Sequence, residues 1–164
     1  MTVTQQAKII EKVLNDWAQN RGGVASVVAN IRDMWETAYK ASDKPRILIC
    51  FAGEQVREAF RIAAYLARVD RQWQVAVTRG RGFNQNRGSS LVDTIQNAEP
   101  FYDSVETVRD MIRSITNVSV EDPLDYKGIR PMQSGNLVID GYIIEFSTAS
   151  DLSRPQSTVN QPPV

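Results

Sequence analysis

Residues 137–148 read LVIDGYIIEFST. The turn cluster Gln133-Ser134-Gly135-Asn136 precedes them, and the shorter segment Tyr126–Met132 precedes that. A long apolar run on one side of such a turn and a short one on the other predict a β-hairpin. Gly141, inside the long strand, predicts a bulge or a close backbone approach. Two further strands lie upstream. Arg46–Ala52 (RILICFA) is an apolar run entered from the turn cluster Ser42-Asp43-Lys44-Pro45 and ended by Gly53. In Gln72–Thr78, Trp73, Val75 and Val77 face one way and Gln72, Gln74 and Ala76 the other, the pattern of a half-buried strand.

Helical spacing fills most of the remainder. Ile9, Ile10, Val13, Leu14 and Trp17 form one stripe over residues 4–19, with Thr4 as N-cap and Arg21-Gly22-Gly23 as the stop. Val24, Val27, Val28, Ile31, Met34, Trp35 and Ala38 continue the rhythm and predict a second helix over about 24–41, giving an N-terminal helical pair. Phe101, Val105, Val108, Ile112 and Ile115 predict a helix over about 100–116, with Pro100 at its start. Leu91 and Ile95 mark helical material before it. Residues 54–68 carry two patterns. Val56, Phe60, Ala63 and Ala67 favour a helix, while Phe60, Ile62, Ala64 and Leu66 alternate as in a strand. The helix is the expectation taken. The fold class is therefore α/β (α+β), a mixed or antiparallel sheet flanked by helices. Residues 1–148 form a single domain, and 149–164 form a polar, proline-containing segment that cannot order itself, read either as a frayed tail or as an arm that orders on a neighbouring subunit.

The chain has 164 residues, enough for one domain with a sizeable core. Hydrophobic content of 42% and charged content of 23% fit a globular protein. Nineteen basic residues balance nineteen acidic ones, unlike a strongly basic nucleic-acid-binding module. Cys50 is alone, so no intrachain disulfide forms, and within its apolar run it reads as a small buried hydrophobe. The opening MTVTQQAKII has neither a basic nor a long apolar region, so no signal peptide and a cytoplasmic site of synthesis are expected. No apolar stretch is long enough to span a membrane.

Histidine is absent. The commonest general acid–base group and metal ligand are thus missing. Gly80-Arg81-Gly82-Phe83 begins like a dinucleotide loop but lacks the third glycine and the helix that must open there. Glu54, Glu58 and Asp70 read as surface carboxylates. No enzyme activity, no cofactor and no metal are expected. The concentrated feature is Arg79–Ser90 (RGRGFNQNRGSS), where glycines let Arg79, Arg81 and Arg87 reach outward beside Phe83. Guanidinium forks suit carboxylates and phosphates alike. A solvated loop, a contact to a neighbouring subunit and a contact to DNA phosphates are the three readings. Phe101, Tyr102, Trp17 and Trp35 read as core or packing aromatics.

The order of these pieces resembles the tail terminator proteins of long-tailed bacteriophages, also called tail completion or head–tail joining proteins. The resemblance covers roughly residues 45–148 and rests on arrangement and on segments such as RILICFAGE and DGYIIEFS. It implies a helix-flanked mixed sheet and a homo-oligomeric ring, commonly a hexamer, at the head-proximal end of the tail tube. It implies partners in the tail tube protein, the neck or connector protein and, in a contractile tail, the sheath. DNA would pass through the lumen without sequence-specific binding. Arg79, Arg81, Phe83 and Arg87 are then candidates for the subunit or tube interface, and Tyr142 and Glu145 of the last strand join them. The place of action implied is the tail–neck junction of the virion. A neck or head-completion adaptor is the alternative, and a small α/β enzyme or nucleotide-binding domain a more distant one.

Overall fold

The structure is a computed structural model, and it describes residues 1–40, 46–59, 67–79 and 91–152. Its elements are α1 (Val3–Gln19), β1 (Val24–Val28), α2 (Ile31–Tyr39), β2 (Arg46–Ala59), β3 (Ala67–Thr78), α3 (Leu91–Arg113), β4 (Asp125–Ser134) and β5 (Leu137–Leu152). The strands form one mixed sheet in the order β1-β2-β3-β5-β4. β1 runs parallel to β2, and the other neighbours are antiparallel. This is the α+β class expected, closed by the expected hairpin.

The sheet is covered on both faces. Ile47, Ile49, Trp73, Val75, Val77, Ile144 and Phe146 pack on one face against Ala7, Ile10, Leu14 and Ala18 of α1 and Val105, Val108 and Ile112 of α3. Leu48, Cys50, Ala76 and Ile143 pack on the other against Met34 and Ala38 of α2. The alternation of Trp73, Val75 and Val77 with Ala76 is what sends them to opposite cores. Cys50 is buried in the second core, as its apolar run implies.

Four expectations change. The segment 24–41 is not one helix. Residues 24–28 form β1, in parallel register with Arg46–Cys50. The β-branched Val24, Val27 and Val28 suit a pleated strand. Asn30 then caps α2, accepting a hydrogen bond from the Asp33 backbone N–H at 2.8 Å. The two N-terminal helices are both present, but a strand separates them and they lie on opposite faces of the sheet. The N-cap of α1 is Thr2, not Thr4, because Thr2 and Gln5 form a reciprocal capping box.

The third change concerns residues 54–68. Gly53 does not end the strand. It adopts φ 124° at a bulge, and β2 continues to Ala59. Residues 54–59 pair with 67–71 of β3, so the described part of this stretch is strand. Residues 60–66 lie outside the described residues. Cross-strand pairs override helix propensity here, with Glu54 opposite Arg71 and Val56 opposite Val69. Fourth, α3 begins at Leu91, so Pro100 falls inside the helix.

Gly141 makes the close approach expected of it. A Cβ there would lie 2.8 Å from the Val77 carbonyl oxygen. β5 runs to Leu152, with Ala149 and Ser150 buried, so residues 149–152 belong to the sheet. Residues 153–164 of the expected arm lie outside the described residues.

Candidate subunit-contact site

Of the six candidate residues, Arg79, Tyr142 and Glu145 are described. Arg81, Phe83 and Arg87 lie outside the described residues. Arg79 follows β3 directly, and its backbone N–H donates to the Asp140 carbonyl at 3.0 Å. Its guanidinium donates to the Asp140 carboxylate at 2.9 Å and lies 5.3 Å from the Phe101 ring centroid. Arg79 thus turns back onto the protein rather than reaching outward. A planar cation can satisfy a carboxylate with its edge and an aromatic ring with its face, and this arrangement uses both.

Tyr142 belongs to the same group. Its ring lies 6.0 Å from Phe101 and 6.1 Å from Tyr102, edge-on to the latter. Burial, followed by Tyr102 and Asp140, pushes the Tyr142 phenol above its usual pKa, while Arg79 opposes the shift. The phenol is therefore neutral, beside the Tyr102 ring. From sequence, Phe101 and Tyr102 both read as core or packing aromatics. Phe101 is buried, but Tyr102 is half exposed and forms the outer wall of the cluster. Sequence does not single out Asp140, since nothing in a separation of 61 positions links it to Arg79.

Glu145 sits apart from this group. Along β5 it is three residues from Tyr142 and so faces the other side of the sheet. There it accepts a hydrogen bond from the Arg130 guanidinium of β4. The structure thus brings together Arg79 and Tyr142 and places Glu145 on the opposite face.

Two polar groupings occupy the far end of the sheet. On the α1 face, Arg71 is only 4% exposed. It donates to Glu54 at 2.9 Å, to the Met1 carbonyl at 2.8 Å and to Gln6 at 3.0 Å. Gln6, also buried, donates to the Val118 carbonyl and to Ser150. Both ends of the buried Gln6 amide and the Nε and Nη1 of Arg71 are thereby used. On the other face, Arg57 of β2 holds Asp70 of β3 through both carboxylate oxygens and also holds Glu121. Arg68 bridges Glu121 and Asp151. The network pins the segment between α3 and β4 to three strands.

These ion pairs set a pH dependence. Arg57 holds the Asp70 carboxyl below its usual range, and Arg68 does the same for Asp151. A carboxyl with a lowered folded pKa binds fewer protons folded than unfolded. Its stabilisation is complete above the unfolded value, about 3.9, and is lost as pH falls through the folded value. Thermal melts should therefore show a falling transition temperature below about pH 4. Arg57→Gln should flatten that fall, and an unchanged pH profile in the variant would refute the assignment.

Glu54 and Asp70, read from sequence as surface carboxylates, are both engaged by arginines. Among the described residues no group of three or more His, Cys, Asp or Glu is placed to hold a metal ion. Among them also, no helix is long and apolar enough to cross a membrane. A shallow recess of about 530 Å³ lies between α1 and α3, lined by Ile9, Val13, Met111 and Ile115 with Asp110 at its rim. Arg109 holds the Asp110 carboxyl ionised, below its usual range. No protein-family model matches the chain, and no curated protein matches it in sequence.

Proposed function

We propose that this chain is a virion structural protein that forms a ring at the head-proximal end of a bacteriophage tail tube. There it stops tube polymerisation and joins the tail to the neck. The observation that carries the reading is the architecture. A five-stranded mixed sheet, helices on both faces and a closing β4–β5 hairpin make up the fold that the sequence resemblance implies. The N-terminal helix, apolar strand, alternating strand, helix and hairpin also follow one another in the expected order.

The Arg79–Tyr142 cluster suits this role. Tyrosine and arginine are enriched at the energetic centres of protein interfaces, and Tyr102 offers its ring at the surface. The stretch Arg79–Ser90 begins at this cluster with Arg79. The role proposed needs no catalytic group and no cofactor.

Native mass spectrometry of the protein, alone and with tail tube protein, tests the reading. The expected result is a closed oligomer, on its own or on the tube, with a hexamer as the expected stoichiometry. A monomer in both samples would remove the reading. Assembly on the portal rather than on the tube would replace it with a neck adaptor.

A further inference from the structure

Between α3 and the β4–β5 strands lies a small recess of about 190 Å³. Tyr102 and Tyr142 line it, their rings meeting edge-on at 6.1 Å. The buried Val105 and the half-buried Ile129 complete its apolar lining. Glu106 and Arg109 of α3 are its charged members. Arg109 turns its Nε to Asp110 at 2.9 Å. Glu106 is exposed, one turn after Tyr102, and forms no ion pair among the described residues. The recess thus presents two aromatic rings, an aliphatic lining and one uncommitted negative charge. Pockets for free small molecules run from about 300 Å³ upward, so this one suits a single side chain of a larger partner.

Aromatic rings beside an aliphatic lining are a surface on which extended, proline-containing segments dock. The free carboxylate adds a preference for a cation next to the proline. The chain carries that combination after β5, where residues 153–164 read SRPQSTVNQPPV. Arg154 is the one charged residue in this stretch, and Pro155 follows it directly. Arg154-Pro155 cannot reach the recess of its own copy. β5 pairs with β3 without a break from Gly141 to Leu152. Tyr142 and Leu152 therefore stand about 33 Å apart along the strand. Pro155 lies three residues beyond Leu152, a span of about 10 Å at full extension. Within this protein, only a second copy brings the dipeptide to the recess.

We infer that Arg154-Pro155 of one copy docks in the Tyr102–Tyr142 recess of the next, with Pro155 on the tyrosine rings and Arg154 paired to Glu106. This contact deepens the ring reading and rests on it. It is heterologous, joining two different surfaces of one chain, and it repeats around a ring when the rotation between copies closes.

Charge reversal on the intact chain tests it. Arg154→Glu and Glu106→Arg each place like charges in the contact. Each variant alone should associate at least about 10-fold more weakly than wild type in sedimentation or native mass spectrometry. Mixed one to one, each variant's tail meets an oppositely charged recess on the other, and association should return to within about 3-fold of wild type. The double variant, with both reversals in one chain, should recover as well. If the double variant recovers and the mixture does not, the tail docks in its own copy and the inference falls. If wild type assembles and either single variant does so equally well, this contact is wrong while the ring reading stands. A wild type that stays monomeric alone and on tail tube removes both the contact and the ring.

Discussion

Replacing Trp73 with alanine is expected to lower the unfolding free energy by about 3–5 kcal/mol, the largest loss of any single truncation in this fold. Trp73 is 1% exposed in the middle of β3. It occupies a cross-strand row with Phe51 of β2 and Phe146 of β5. Its ring lies 5.5 Å from Phe51 and tilted, and 6.5 Å from Phe146 and nearly parallel. Its indole N–H donates to the Thr148 hydroxyl at 3.1 Å. Alanine would remove ring area from both neighbours and leave a cavity that two other aromatics cannot fill without shifting their strands. Trp73→Phe should cost less, about 1–3 kcal/mol, since it keeps a ring but leaves the buried Thr148 hydroxyl without its donor. Urea denaturation followed by fluorescence of the remaining tryptophans and by circular dichroism gives both values. A loss below about 1 kcal/mol for Trp73→Ala would show that this row does not organise the core.

Gly141→Val should cost about 3 kcal/mol, with Gly141→Ala nearer 1–2 kcal/mol, through overpacking rather than a cavity. The added Cβ would lie 2.8 Å from the Val77 carbonyl oxygen, 3.0 Å from Thr78 Cγ2 and 3.1 Å from Met132 Sδ. The methionine can move aside. The carbonyl belongs to the backbone of β3, which the sheet holds in place. Gly135 provides the contrast. It has φ 59° in the hairpin turn, with open space where a Cβ would go. Asparagine tolerates that conformation, so Gly135→Asn should cost under about 1 kcal/mol. Comparable losses at the two positions would mean that conformation, not contact, explains both.

The strands legible in the sequence are those whose burial the chain itself encodes. Arg46–Ala52 and Leu137–Thr148 are apolar runs between turn residues, and Gln72–Thr78 alternates cleanly. Each is a strand in the structure. The segments that local pattern misassigns share a cause, namely a partner distant in sequence. Val24, Val27 and Val28 have helical spacing through to Ile31, and only pairing with Arg46–Cys50 makes them a strand. The local signals against one continuous helix are Gly22-Gly23 before the run and Asn30, a helix-capping residue type, after it. Glu54–Ala59 looks helical until Arg71 and Asp70 are placed across from it.

The candidate site is legible by composition but not by geometry. The glycine that follows Arg79 suggests an outward reach, yet Asp140 and Phe101 draw the side chain inward. Tyr142 and Glu145 lie together on one expected strand. The two-residue period of a strand sends them to opposite faces. The apolar residues on both faces of Leu137–Phe146 suggest that one face awaits a neighbour. Instead Ile139 and Ile143 pack in the core beneath α2, and Tyr142, Ile144 and Phe146 in the core beneath α1 and α3. Only Leu137 and Val138 remain outside.

β3 is paired with β5 at all twelve of its residues and with β2 along the same length. Amide protons of such a strand are bonded alternately to the two neighbours, so the strand as a whole exchanges only when both separate, which for a central strand approaches global unfolding. Deuterium should therefore enter β3 last and β1 early, since β1 has a neighbour on one side only. The chain from Arg79 onward is thus tethered at one end to the part of the molecule that gives way last. A load applied to the chain at Arg79 is passed directly into the centre of the sheet rather than to an edge that could peel away.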